Sequence, residues 1–243
     1  MKMKYLIYTL LFSVTCSFSL IGQISPVPED ASCGSTLFAE SFTGDIPSGW
    51  SGDFDLGGGS PFLEGWILAD GLTPTDETGP DAPFDGSHYA YFESSGPAPD
   101  NAMFQISTPP INLPDSRFGT ALTFRLLMHG DETGSLMINA ISGGVTTQLL
   151  TAVGEQHADG SIANWEEVYI DLTSLENQEI EIQFVGMKSI GDMGDIAIDQ
   201  VQICGIASPI PTLSEWGLIL LFLILSIIGL IYIRRTGMSS VVE

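Results

Sequence analysis

Residues 120–129 read TALTFRLLMH, and the apolar side chains of Leu122, Phe124, Leu126 and Met128 fall at every second position. A period of two is that of an extended chain, so these four residues share one face of a β-strand and need a core to cover it. Residues 179–187 repeat the pattern with Ile180, Ile182 and Phe184. Working outward, short alternating or β-branched runs occur at residues 36–42, 66–69, 88–93, 103–106, 135–141, 145–153, 165–172 and 195–203, punctuated by Gly, Pro, Asn and Asp. Between the two terminal apolar segments a helical period is not sustained, a single turn near Ser174–Asn177 apart. Many strands without interleaved helices predict an all-β fold, two antiparallel sheets packed as a jelly-roll β-sandwich. Residues 50–60, with Gly52, Gly57, Gly58 and Gly59, and residues 70–85, with Pro74, Pro80 and Pro83, are expected to be long surface loops at one end of the sandwich.

The chain ends carry an address. Lys2 and Lys4 precede an apolar run from Tyr5 to Leu20, with a small-residue cleavage site near Gly22, so residues 1–22 are read as a secretory signal peptide. At the other end Trp216–Ile233 holds no charge and, at about 1.5 Å per residue, reaches about 27 Å, the length of a transmembrane helix. Arg234 and Arg235 follow as a stop-transfer pair. Under the positive-inside rule they leave residues 236–243 as a cytoplasmic tail and residues 23–208 outside as one domain. The expectation is export by the secretory pathway, an inner-membrane intermediate, and then the cell surface or the extracellular space.

Pro211, Thr212, Leu213, Ser214, Glu215, Trp216 and Gly217, followed by the apolar span and the Arg pair, resemble the IPTL-CTERM sorting signal of bacterial surface proteins. The resemblance covers residues 210–235. It implies recognition by a membrane-embedded sorting protease of exosortase type, which would make the membrane anchor temporary. Pro211 holds the approach to the span extended, a conformation that suits a protease groove.

Composition excludes one class of partner. The chain has seven Lys and Arg against 30 Asp and Glu, a formal net charge of −23. Only Arg117, Arg125 and Lys188 are cationic between residues 23 and 208. Phosphate binding draws its affinity from Lys and Arg, so nucleic acid is not a partner. The acids keep a surface solvated, and some of them suit calcium, which prefers oxygen ligands. With Cys16 removed in the signal peptide, Cys33 and Cys204 remain, and an even count in an exported chain favours a disulfide between them.

A second resemblance runs through the domain. Phe38, Glu40, Phe42, Gly44, Pro47, Gly49 and Trp50 open it. Gly86, Tyr89, Tyr91, Pro109, Ile111, Leu113, Leu122, Phe124, Trp165, Asp171 and Leu172 follow in order, and Gly194–Asp199 (GDIAID) closes it. This order is similar to the MAM domain and its bacterial jelly-roll relatives. It departs from them at Gln200, where the family commonly has a second Asp, and in lacking the cysteine set of many animal members. The resemblance implies a jelly roll used for adhesion or recognition, with no catalysis of its own.

Two acids interrupt faces expected to be apolar: Glu40 beside Phe38 and Phe42, and Asp199 beside Ala197, Val201 and Ile203. If the strands that hold Cys33 and Cys204 run antiparallel, Phe38 falls opposite Asp199, and Glu40 and Asp199 form a diagonal pair able to share a structural calcium ion, with Asp85 a further candidate ligand. The blander reading has each acid reach water or a backbone N–H. Asp192 and Asp195 are read as turn residues, and Asp76, Glu77 and Asp81 as solvated loop acids. The three histidines, His88, His129 and His157, lie in no metal-ligand spacing, and no nucleophile motif is present, so no catalytic residues are assigned. Trp50, Trp66 and Trp165 suit a core better than a sugar-stacking platform. The sequence thus reads as an exported bacterial surface protein with a non-enzymatic recognition module for an extracellular protein or glycan. The alternatives are a carbohydrate-binding protein with a definite sugar site and a structural constituent of a surface layer or matrix.

Overall fold

The computed structural model describes residues 33–55, 65–116, 119–207 and 214–237. In chain order the strands are β1 (Cys33–Glu40), β2 (Ser51–Gly52), β3 (Gly65–Ala69), β4 (Tyr89–Glu93), β5 (Met103–Ser107), β6 (Ile111–Asn112), β7 (Thr120–His129), β8 (Ser135–Ser142), β9 (Val145–Val153), β10 (Glu166–Asp171), β11 (Glu179–Met187) and β12 (Asp195–Ile206), and a helix, α1 (Ser214–Gly237), ends the chain. The turn expected near Ser174–Asn177 is a 3-10 turn at Thr173–Leu175. The strands form two six-stranded antiparallel sheets. The first has the order β10-β7-β12-β4-β3 with β1 added on β12; the second has the order β2-β5-β11-β8-β9 with β6 added on β11.

The alternation in β7 and β11 does what a period of two requires. Leu122, Phe124, Leu126 and Met128 face Ile180, Ile182 and Phe184 across the sandwich, all buried. Phe124 and Phe184 meet edge to face with ring centroids 5.4 Å apart, and Trp50 stacks on Phe184 at 6.2 Å. All three domain tryptophans are buried, Trp66 completely. They therefore present no stacking platform to a sugar.

Cys33 and Cys204 form the expected disulfide, with Cα atoms 5.5 Å apart, and join β1 to β12. The register beside it differs from expectation. Phe38 lies opposite Ile203 and Glu40 opposite Val201, because two irregularities in β1 shift the pairing. The face of Asp199 also differs. Its pairing with β7 is interrupted between Asp199 and Gln202, and Gln200 has φ +48°, so β12 carries a bulge there. Ile196, Ile198, Val201 and Ile203 consequently face the main core, while Ala197 and Asp199 face outward, and Asp199 does not share a face with Val201 and Ile203.

The outward face of the first sheet has a smaller core of its own, formed by Ile67, Tyr89, Tyr91, Leu127, Trp165 and Ala197. The segment between β3 and β4 packs over it. Thr73, Thr78, Gly79 and Pro80 in that segment are buried, so residues 70–85 are a cover on the sheet and not a solvent loop at the sandwich end.

The helix α1 runs for 24 residues, and its apolar side chains from Ile219 to Ile233 are exposed. Among the described residues no helix is long and apolar enough to cross a membrane. That departs from the span expected over Trp216–Ile233, whose first residues lie outside the described side chains. Ser214–Gly217 form the first turn of α1, whereas Pro211, Thr212 and Leu213 lie outside the described residues, as do the expected signal peptide and residues 238–243.

Candidate functional site

The cover segment is held by two buried acids of β12. Asp199 sits on the bulge, completely buried, where its carboxylate accepts three backbone N–H groups: Gln200 at 2.6 Å, Phe84 at 2.9 Å and Asp85 at 3.1 Å. Burial raises its pKa to about 6, against the pull of those three donors toward the charged form. Opposite Asp199 in the ladder, Arg125 places its guanidinium 4.2 Å from the centroid of Phe84 and pairs with Glu167 at 3.0 Å. One strand position thus ties down the cover through its backbone and through its aromatic ring.

Four residues earlier, Asp195 accepts the Thr78 hydroxyl at 2.9 Å and the Ser94 N–H at 3.4 Å. Burial, with the neighbouring buried Glu93 second, raises its pKa to about 7. Tyr89 and Tyr91, packed against the same acids, are held well above the usual phenol range, chiefly by burial. Trp165 donates its indole N–H to the Ala82 carbonyl at 3.2 Å, and the Asp81 N–H reaches Gly160 at 2.7 Å. The sequence suggested Asp195 as a turn residue. Its buried partners, Thr78 and Ser94, are far away in the chain and carry no motif, so only the fold brings the latch together.

Beside the cover lies an open cleft of about 440 Å³, lined by Glu77, His129, Asp131, Glu155, Asp159 and Met193. His129 Nδ1 lies 3.0 Å from Glu155 and 3.2 Å from the His157 carbonyl. His157 is buried and its pKa is lowered by that burial, against the pull of Glu166. Its Nδ1 accepts the Met128 N–H at 2.9 Å, which places its proton on Nε2, 3.5 Å from Glu166. His88 lies elsewhere, 3.0 Å from Ser87. His129 and His157 thereby tie residues 155–157 to the end of β7 and pair with acids.

The expected calcium residues are placed apart in their roles. Glu40 accepts its own neighbour's N–H, Phe42, at 2.8 Å, and so closes the end of β1. Asp85 is exposed and contributes its charge to the surroundings of Asp199. Among the described residues, no group of three or more His, Cys, Asp and Glu side chains gathers as a metal cluster. Glu40 Oε1 and both oxygens of Asp199 accept backbone N–H groups.

Residues 63–207, more than half of the chain, match the family model described as MAM domain, meprin/A5/mu. The chain belongs to the MAM family. The MAM domain is followed directly by a match to the IPTL-CTERM motif over residues 208–235. Among solved structures, a cleaved adhesin domain of Lys-gingipain from Porphyromonas gingivalis is similar at 23% identity, covering 70% of this chain and 98% of that one, with a TM-score of 0.48. A cyclase from Fischerella is similar at 13% identity, covering 70% and 89%, with a TM-score of 0.46. The CBM22-1 xylan-binding domain from Paenibacillus barcinonensis is similar at 13% identity, covering 73% and 99%, with a TM-score of 0.39.

Proposed function

We propose that this chain is an exported surface protein whose MAM domain is a non-catalytic module for adhesion or recognition outside the cell. The observation that carries the reading is the succession of a MAM domain and an IPTL-CTERM motif in one chain. A disulfide closing 171 residues suits an oxidising compartment. In this reading residues 1–22 direct secretion, and Arg234 and Arg235 close the C-terminal sorting signal. Pro211–Gly217 is the part that a sorting protease of exosortase type recognises. The MAM domain then remains at the surface or is released.

The test is fractionation of cells carrying a C-terminally tagged and an N-terminally tagged chain. Loss of the C-terminal tag with the domain recovered at the surface or in the medium is expected, and Pro211→Ala with Trp216→Ala should retain both tags in the membrane. A full-length chain in the membrane of cells with the unaltered motif would overturn the processing. The alternative of a structural constituent of a surface layer predicts loss of that layer on deletion, with no soluble ligand. Calcium belongs to the same proposal. Glu40 and Asp199 would bind it only with backbone carbonyls or water as the other donors, and a chelator-sensitive melting temperature is the sign.

A further inference from the structure

The outward face of the second sheet differs in chemistry from the rest of the molecule. Reading straight across five strands, the ladder aligns Ser51, Ser107, Gln183, Asn139 and Gln148 in one row. Each alternates with a core residue of its own strand, so the row faces away from the sandwich interior. Its members carry only hydroxyls and carboxamides. The next row, Gln105, Val185, Met137 and Thr151, is uncharged as far as the sheet edge, where Asp53 accepts the Gln105 N–H at 2.8 Å. The first acid on the other side is Glu181, opposite Ile141. In a chain with 30 acids the row itself stands out for carrying none.

The row is also built by an irregularity. Between β8 and β9 the register shifts after Ile138, which pairs with Leu150, so that Asn139 pairs with Gln148 and Leu149 is the additional residue. Leu149 packs toward the core as a partly buried side chain. Without the bulge it would take the place of Gln148 in the row. A bulge re-aims side chains, and here it exchanges an apolar one for an amide. Asn139 Nδ2 donates to Gln183 Oε1 at 3.1 Å, which fixes the two amide planes side by side at the centre.

We propose that this face binds an uncharged polysaccharide laid across the strands along the row, on the exposed or half-buried side chains of Ser51, Gln183, Asn139 and Gln148, with Ser107 buried between them. The proposal rests on the reading of the chain as a recognition module and names its ligand class. An amide presents a donor and an acceptor next to each other, as does a pair of neighbouring sugar hydroxyls. Strands about 4.8 Å apart make the row about 19 Å long, enough for several sugar rings. The net charge of −23 repels an anionic chain, and a cationic one would be drawn to the acidic cleft instead of this face. The buried tryptophans leave hydrogen bonds and the partly exposed apolar side chain of Met137 to provide the binding.

The test uses the full chain in a detergent without sugar groups, with binding read by interferometry on immobilised galactan, xylan and mannan as uncharged probes and polygalacturonate as the anionic one. Binding to at least one uncharged polysaccharide and none to polygalacturonate is expected. Asn139→Ala with Gln183→Ala should weaken it about tenfold or more, two to three lost hydrogen bonds' worth. Glu167→Gln, on the outward face of the other sheet, should leave it unchanged, and equal melting temperatures of the variants show that the fold is kept. No binding to any of the three uncharged probes, or binding unaffected by the double substitution, overturns the proposal. So does a protein partner whose binding the double substitution abolishes while the sugars do not bind. None of these results bears on tag loss and fractionation, so the ligand class and the surface assignment fail separately.

Discussion

Asp195 and Asp199 act on the same segment, and in both burial outweighs the donors that favour the charged form. Asp199 has three amide donors, and removing its carboxylate strands the N–H groups of Phe84 and Asp85. Asp199→Ala is expected to cost about 1–3 kcal/mol, from partly buried donors left without their acceptor. Hydrogen exchange should quicken at Phe84 and Asp85 well before the rest of the sheet; unchanged protection at those two amides would sink the latch. Asp195 is the more proton-hungry acid, raised to about 7 by burial and by Glu93. Because its folded value lies above that of the unfolded chain, the folded protein holds the proton more tightly. The stability this gives is fully present below about pH 4, and it is lost as pH rises through about 7. Asp195→Asn, which keeps an acceptor for Thr78 and cannot ionise, should therefore gain on the parent protein in melting temperature from pH 4 to pH 8. A difference that stays flat with pH, or shrinks, would show that Asp195 is ionised in the fold without cost.

Among the elements, β12 decides most. It lies between β7 and β4, accepts β1, and is linked to it by Cys33–Cys204. Substituting both cysteines with serine opens a loop of 171 residues and is expected to lower stability by about 5 kcal/mol in the chain-entropy view. Chemical denaturation of the two forms measures it, and a loss below about 1 kcal/mol would mean that the unfolded chain is already confined. The strands themselves were legible because Leu122 to Met128 and Ile180 to Phe184 keep a strict period that only a half-buried strand explains. The bulge was not legible. Ala197, Asp199, Val201 and Ile203 have the same parity, so strict alternation places them on one face, and nothing in the residue type of Gln200 announces its φ of +48°. One extra residue then reverses the faces. The burial of residues 70–85 was hidden for a related reason: backbone N–H and C=O groups make many of its contacts, and Pro and Asp in such numbers look solvated. Of the candidate site, Asp199 and the disulfide were legible as an acid out of place and an even cysteine pair, whereas the partner of Asp195 and the amide row depend on register.

At the scale of the whole molecule, charge repulsion is the one influence that no single contact removes. Arg125 is paired with Glu167 and Lys188 with Asp192, so these cations are already committed within the fold and do little to offset the net charge of −23. Acids that repel each other over distances near the Debye length, about 10 Å at 0.1 M salt, destabilise the compact state and are screened as salt is added. The melting temperature should accordingly rise between about 0.01 M and 0.15 M sodium chloride, where the screening length falls from about 30 Å to about 8 Å. Calcium gives a sharper reading of the same surface. At matched ionic strength, calcium chloride screens like sodium chloride unless a site takes the ion, so a further rise that Glu40→Gln removes would place calcium at the meeting of β1 and β12. Equal melting temperatures in the two salts would leave Glu40 as the cap of β1, bonded to the Phe42 N–H, and Asp199 as an amide-held latch with no metal. The domain would then present its acids to solvent as a repulsive shell, and the uncharged row on the outward face of the second sheet would be the surface on which a partner can approach with the least repulsion.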